Sequence, residues 1–207
     1  MKFNAPLRRS RGPRIRVTAI TAVATLAAAS AMATMGPATA STRLTGTATK
    51  PGHIYWTNEA GSIGEANLDG SDPHTIITAG ADSLYGLAAG KAHIYWISNY
   101  SIWEANPNGG DPHPIVTRDL EAPIGVAVNS THLYWADQTY IGVAKLSGSD
   151  PRTIISTPDG VGGVAVNSRH LYFSGGINAI LEADLNGTDP HTIITGQHPD
   201  NVAVSAP

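Results

Sequence analysis

The chain has 207 residues, 14% of them charged, no cysteine and a formal net charge of −3. That composition excludes a disulfide framework, a thiolate metal site and a cysteine nucleophile. Lys2, Arg8, Arg9, Arg11, Arg14 and Arg16 open the chain, whereas every Asp and Glu lies at Glu59 or beyond; residues 41–207 therefore carry 7 basic against 16 acidic side chains, net −9, which argues against nucleic acid as a partner.

In chain order the first element is residues 1–40. The basic stretch leads into an uncharged run, residues 17–42, whose apolar part is mostly Ala, Thr, Val, Ile and Leu. Ala38-Thr39-Ala40 supplies a small-x-small cleavage site, so a helical signal peptide removed before Ser41 is expected. The run approaches the ~20 residues of a membrane span, but its Ala/Thr bias and Gly36-Pro37 favour cleavage over a lasting anchor. Arg8-Arg9 leaves the Sec and twin-arginine (Tat) routes both open. The expected product is secreted and extracellular, with residues 41–52 as a linker or partial first strand.

Residues 53–207 are one unit written four times. His-Ile/Leu-Tyr-Trp/Phe begins at His53, His93, His132 and His170. Ile63, Ile102, Ile141 and Ile180 follow, and then Asp-Pro at Asp72, Asp111, Asp150 and Asp189, both series stepping by 39. A Thr-Ile-Ile-Thr-like segment comes next, at residues 75–78, 114–117, 153–156 and 192–195. A small-apolar run closes each copy, at residues 86–89, 125–128, 163–166 and 201–204. Each segment has strand length, is rich in β-branched or aromatic residues and is bounded by Gly, Asn, Asp or Pro. Four short strands at this period predict an all-β fold, a β-propeller of four four-stranded blades. In chain order from the closing run the strands are A (Gly-Val-Ala-Val), B (His-Leu-Tyr-Trp), C (from the Ile series) and D (Thr-Ile-Ile-Thr), with Asp-Pro serving the C–D turn.

Tyr55-Trp56-Thr57-Asn58, Tyr95-Trp96-Ile97-Ser98, Tyr134-Trp135-Ala136-Asp137 and Tyr172-Phe173-Ser174-Gly175, each followed by a turn of the Leu-Asp-Gly type, resemble the YWTD repeats (class B) of low-density-lipoprotein-receptor β-propellers. The resemblance covers about residues 53–205. It implies a propeller used for extracellular protein recognition, in a family that usually closes six blades. The motif's Asp survives only as Asp137, and the family's C-strand arginine is replaced by Glu65, Glu104, Val143 and Glu182.

Counting strands leaves the first copy without its own A strand and the last with one to spare. Pairing of residues 201–205 with the strand at His53 would close a four-bladed ring, the preferred expectation. The alternative makes residues 44–49 the first A strand and leaves an open arc or half of a dimeric propeller, with a homodimer as the consequence.

Seven of the eight histidines fall in two repeat series, at the start of the B strands or two residues after the Asp of Asp-Pro, and are dispersed around the axis; a structural role is expected. The C-strand glutamates are expected to face water. The loops entering the A strands converge on the channel, and Asp82, Glu121 and Asp159 there are candidate oxygen ligands for Ca²⁺, the one cofactor considered; turn residues in solvated loops are the other reading. Tyr85, Tyr100, Trp103 and Tyr140 break the repeat and, with His198, are candidates for a binding surface. No hydrolase, P-loop, zinc-protease or dinucleotide motif occurs. The expected function is a secreted, non-enzymatic module that binds a protein, peptide or glycan. The alternative is a propeller lyase or metal-dependent lactonase with its site in the channel, which requires Asp82, Glu121, Asp159 or His198 to converge.

Overall fold

The computed structural model describes residues 52–58, 60–79, 83–176 and 178–205. The expected signal peptide, the alternative first A strand at residues 44–49 and Asp82 lie outside the described residues. None of the described residues is helical, so none forms a helix able to cross a membrane.

Four antiparallel sheets follow the four sequence repeats. Blade 1 contains β1 (His53–Asn58), β2 (Ser62–Asn67) and β3 (His74–Thr78). Blade 2 contains β4 (Leu84–Ala89), β5 (Ile94–Ser98), β6 (Ser101–Ala105) and β7 (His113–Val116). Blade 3 contains β8 (Gly125–Val128), β9 (His132–Asp137), β10 (Tyr140–Lys145) and β11 (Arg152–Ser156). Blade 4 contains β12 (Val161–Val166), β13 (His170–Gly175), β14 (Ala179–Asp184) and β15 (His191–Thr195). The register is the same in each: Tyr55 pairs with Glu65, Tyr95 with Glu104, Tyr134 with Val143 and Tyr172 with Glu182. The pairing of strands C and D slips once per blade, immediately after Ile63, Ile102, Ile141 and Ile180, a bulge that adds local twist.

Alternation along strand B sorts the side chains onto two faces. Ile94 and Trp96 point back to blade 1, where they bury Ile63 with Tyr55 and Ile77 packed alongside. Tyr95 and Ile97 point forward, joining Ile102 and Val116 against Leu133 and Trp135 of blade 3. The third core repeats the arrangement with Tyr134, Ala136, Ile141 and Ile155 against Leu171 and Phe173 of blade 4. Burial of each large side chain contributes about 1.5–3 kcal/mol, so the blade-to-blade interfaces hold the fold together.

Backbone contacts lock these interfaces at both radii. In the C–D turn of blade 3, Gly148 sits at φ 75, and a Cβ there would lie 2.7 Å from the carbonyl carbon of Ile115 in β7. Gly109 meets Ile76 and Gly187 meets Ile154 in the same way. Towards the axis, a Cβ on Gly163 would lie 3.0 Å from Asn201 Cα, so only glycine admits that approach.

The four-bladed propeller is therefore present, but the expected closure is not formed. β1 pairs with β2 alone, and residues 201–205 make no strand among the described residues. Blade 1 packs on blade 2, 2 on 3 and 3 on 4, and among the described residues no fourth core joins blade 4 to blade 1. The described residues thus form an open arc in place of the closed ring. Contact between successive blades extends out to the C–D turns, where Gly109, Gly148 and Gly187 each meet an Ile of the preceding blade.

Candidate binding surface

Strand A begins, B ends, C begins and D ends on one side of each sheet, so the D–A loops and B–C turns share a face. Asp137 organises that face in blade 3. Fully buried at the end of β9, its carboxylate accepts hydrogen bonds from the amides of Glu121 (2.9 Å), Ala122 (2.8 Å) and Gln138 (2.7 Å). The D–A loop is thereby tied to the B–C turn, and Ala122, Pro123 and Ile124 are held beside blade 2. The Tyr140 hydroxyl lies between Asp137 Oδ2 and the Asp119 carbonyl; burial, followed by the Asp137 charge, pushes its pKa up to about 12. Where other blades lack this Asp, different residues act: Ser174 Oγ accepts from Gly162 (3.0 Å) and Gly163 (2.7 Å) in blade 4.

A cleft of about 490 Å³ opens between blades 2 and 3, lined by Ser83, Tyr85, Ile97, Asn99, Tyr100, Ala122, Pro123 and Ile124. Asn99 and Tyr100 form the two-residue turn between β5 and β6 with φ of 48° and 55°. Positive φ at both central positions is the requirement of a type I′ hairpin turn, which favours Asn-Gly. A tyrosine there costs roughly 1 kcal/mol, and Tyr100 is 66% exposed. Its side chain therefore gains little from packing in return.

A second cavity of about 510 Å³ shares Ile124 and is lined by Asp159, Gly160, Val161, Gly162, Gly176, His198, Pro199 and Asp200. Tyr85 and Tyr100 thus meet in one cleft, and Asp159 and His198 in the next. Tyr140 turns inward to Asp137. Trp103 stacks on Trp96 with ring centroids 6.2 Å apart, in the core between blades 1 and 2, so it contributes packing. Glu121 is exposed on the clamped loop. Among the described residues no three His, Asp or Glu side chains gather as metal ligands. Pro123 and Ile124, like the clamping role of Asp137, were not legible as site features; the survival of the motif's Asp in one copy alone was the available signal.

The C-strand glutamates depart from expectation. Glu65 and Glu104 are each 8% exposed and meet histidines: His53 Nε2 is 3.2 Å from Glu65, and His113 Nε2 is 3.2 Å from Glu104. The first histidine series and the glutamates share an edge because B and C pair in register. The hydrogen bond between His113 Nδ1 and the Asp111 carbonyl, with Glu104 adding to it, raises the His113 pKa above 6.5; His191 is raised chiefly by the same bond to Asp189. A pKa raised on folding stabilises the fold fully below the unfolded value, and the contribution fades as pH climbs through the folded one. The contribution of these two histidines to the melting temperature is expected to fade as pH rises past 6.5, and a His113→Gln/His191→Gln double variant to show a flatter profile. An unchanged slope in the double variant would refute this assignment.

No family model and no curated protein matches the chain. Among solved structures it is similar to a chain in a crystal structure of a nidogen/laminin complex, with 21% sequence identity and a TM-score of 0.63, covering 72% of this chain and 64% of that one. The likeness shows the β-propeller fold, and the chain spans 64% of its neighbour's length.

Proposed function

We propose that the chain is a secreted, YWTD-type interaction propeller whose cleft between blades 2 and 3 takes an extended segment of an extracellular protein. The observation that carries this reading is Tyr100, an exposed aromatic held at positive φ beside exposed Tyr85. Tyrosine offers large amphipathic contact area at low side-chain entropy cost, as in other protein-binding surfaces. The Asp137 clamp supports the role by fixing the opposite wall before a ligand arrives, which lowers the cost of binding. The similar propeller taken from a nidogen/laminin complex is in keeping with a protein partner. Residues 1–40, read as an export signal, supply the extracellular setting.

Selection of a phage-displayed peptide library on the purified chain tests the reading. Enriched peptides are expected to bind a Tyr85→Ser/Tyr100→Ser variant at least tenfold more weakly, with the far-ultraviolet circular dichroism unchanged. Peptides that bind the double variant equally well, or no enrichment at all, would overturn the proposal.

A further inference from the structure

The two ends of the arc are the two halves of an interface that the chain already makes three times. On the leading face of blade 1, Ile54 is 44% exposed, whereas its equivalents Ile94, Leu133 and Leu171 are 1%, 0% and 0% exposed. On the trailing face of blade 4, Ile194 is 44% exposed, while Val116 and Ile155 at the same position are 3% and 7% exposed. The backbone tells the same story. Gly109, Gly148 and Gly187 each touch an Ile of the preceding D strand, but Gly70, the blade 1 equivalent, has nothing within 4 Å, and Ile193, which would receive it, is exposed.

The inner strand is mismatched in a complementary way. Blade 1 has three strands among the described residues, lacking strand A. Residues 201–205, Asn-Val-Ala-Val-Ser, repeat the A-strand pattern and lie beside Gly163 where the next blade's A strand belongs, yet pair with no B strand. Ile54 and Gly70 of blade 1 thus have counterparts in Ile194 and Ile193 of blade 4.

We infer that two copies of this chain assemble head to tail. The trailing face of blade 4 of each copy packs on the leading face of blade 1 of the other, and residues 201–205 offer an inner strand to the other copy's blade 1, which has none among the described residues. The occupant is a second copy because the junction continues an interface whose residues are already matched within the chain: Ile194 to Ile54, Ile193 to Gly70, strand A to strand B. Such a contact is heterologous, and two of them close a ring of eight blades, within the size range of propellers. The inference is independent of the peptide cleft, which lies between blades 2 and 3 within one copy.

Sedimentation velocity on the purified full chain, with Ile54→Asp and Ile194→Asp variants, tests it. The unaltered chain is expected to sediment as two copies at tens of micromolar, and each variant alone as one copy with its thermal melt preserved, since both residues are exposed. An equimolar mixture of the two variants retains one good junction and is expected to recover the two-copy species, at about tenfold or more higher concentration. A single-copy species for the unaltered chain overturns the proposal. So does association that survives both substitutions, as it would through residues 17–33, or a mixture that stays single-copy. Mass that grows without limit overturns closure into a ring.

Discussion

Gly148→Ala is expected to cost about 3 kcal/mol of stability, from overpacking against a fixed backbone and from the positive φ, whereas Gly70→Ala costs only about 1 kcal/mol. The two glycines are equivalents in the repeat and share their backbone conformation, with φ of 75° and 79°. They differ in what lies beyond the missing Cβ. At Gly148 it is the Ile115 backbone of the preceding blade, and at Gly70 nothing within 4 Å. Gly70→Ala therefore isolates the conformational cost, and the difference between the variants measures the interblade contact. Urea unfolding at sub-micromolar protein, where copies are separate, gives both values. At about 2–4 °C per kcal/mol for a domain of this size, Gly148→Ala should also lower the melting temperature by roughly 6–12 °C. Equal losses in the two variants would show that the turn makes no such contact.

Asp137→Ala is expected to destabilise by about 3 kcal/mol and to loosen one wall of the cleft. The carboxylate serves three backbone donors, those of Glu121, Ala122 and Gln138, and deleting it leaves those donors unpaired beside a buried, partly water-shielded position. Asp137→Asn keeps one acceptor oxygen but turns an amide donor towards other donors, so an intermediate loss is expected. Hydrogen exchange separates a local from a global effect: the amides of Glu121 and Ala122 should exchange at least tenfold faster in Asp137→Ala, while those of β5 and β6 keep their protection. Unchanged exchange at these two amides would mean that the loop is held by something other than this side chain.

Most of the architecture is readable in the repeat itself. Strand lengths, the B–C register and the C–D turns follow from local pattern, since alternation and Asp-Pro at a constant step act over a few residues. Side-chain partners across strands were less legible. Glu65 and Glu104 read as solvated charges because a lone Glu usually is one, and only the register that sets each beside a histidine reversed this. Trp103 read as a departure from the repeat available for binding, but Trp96 lies over the position it fills. The cleft was half legible: Tyr85 and Tyr100 stood out as unrepeated aromatics, while Pro123 and Ile124 joined them through a clamp between residues 15 and 16 positions apart.

By itself, the sequence determined that this protein is a chain of four like β-blades with an acidic, cysteine-free composition, because a period of 39 residues and its turn chemistry are written locally. Only the tertiary structure decided whether those blades meet their own beginning. Closure depends on the angle between neighbouring sheets, which is set by side-chain volumes summed across each interface and by backbone contact at the outer turns. No single segment encodes that angle, and so the exposure of Ile54 and Ile194 at the two ends of the arc is a property of the tertiary structure alone.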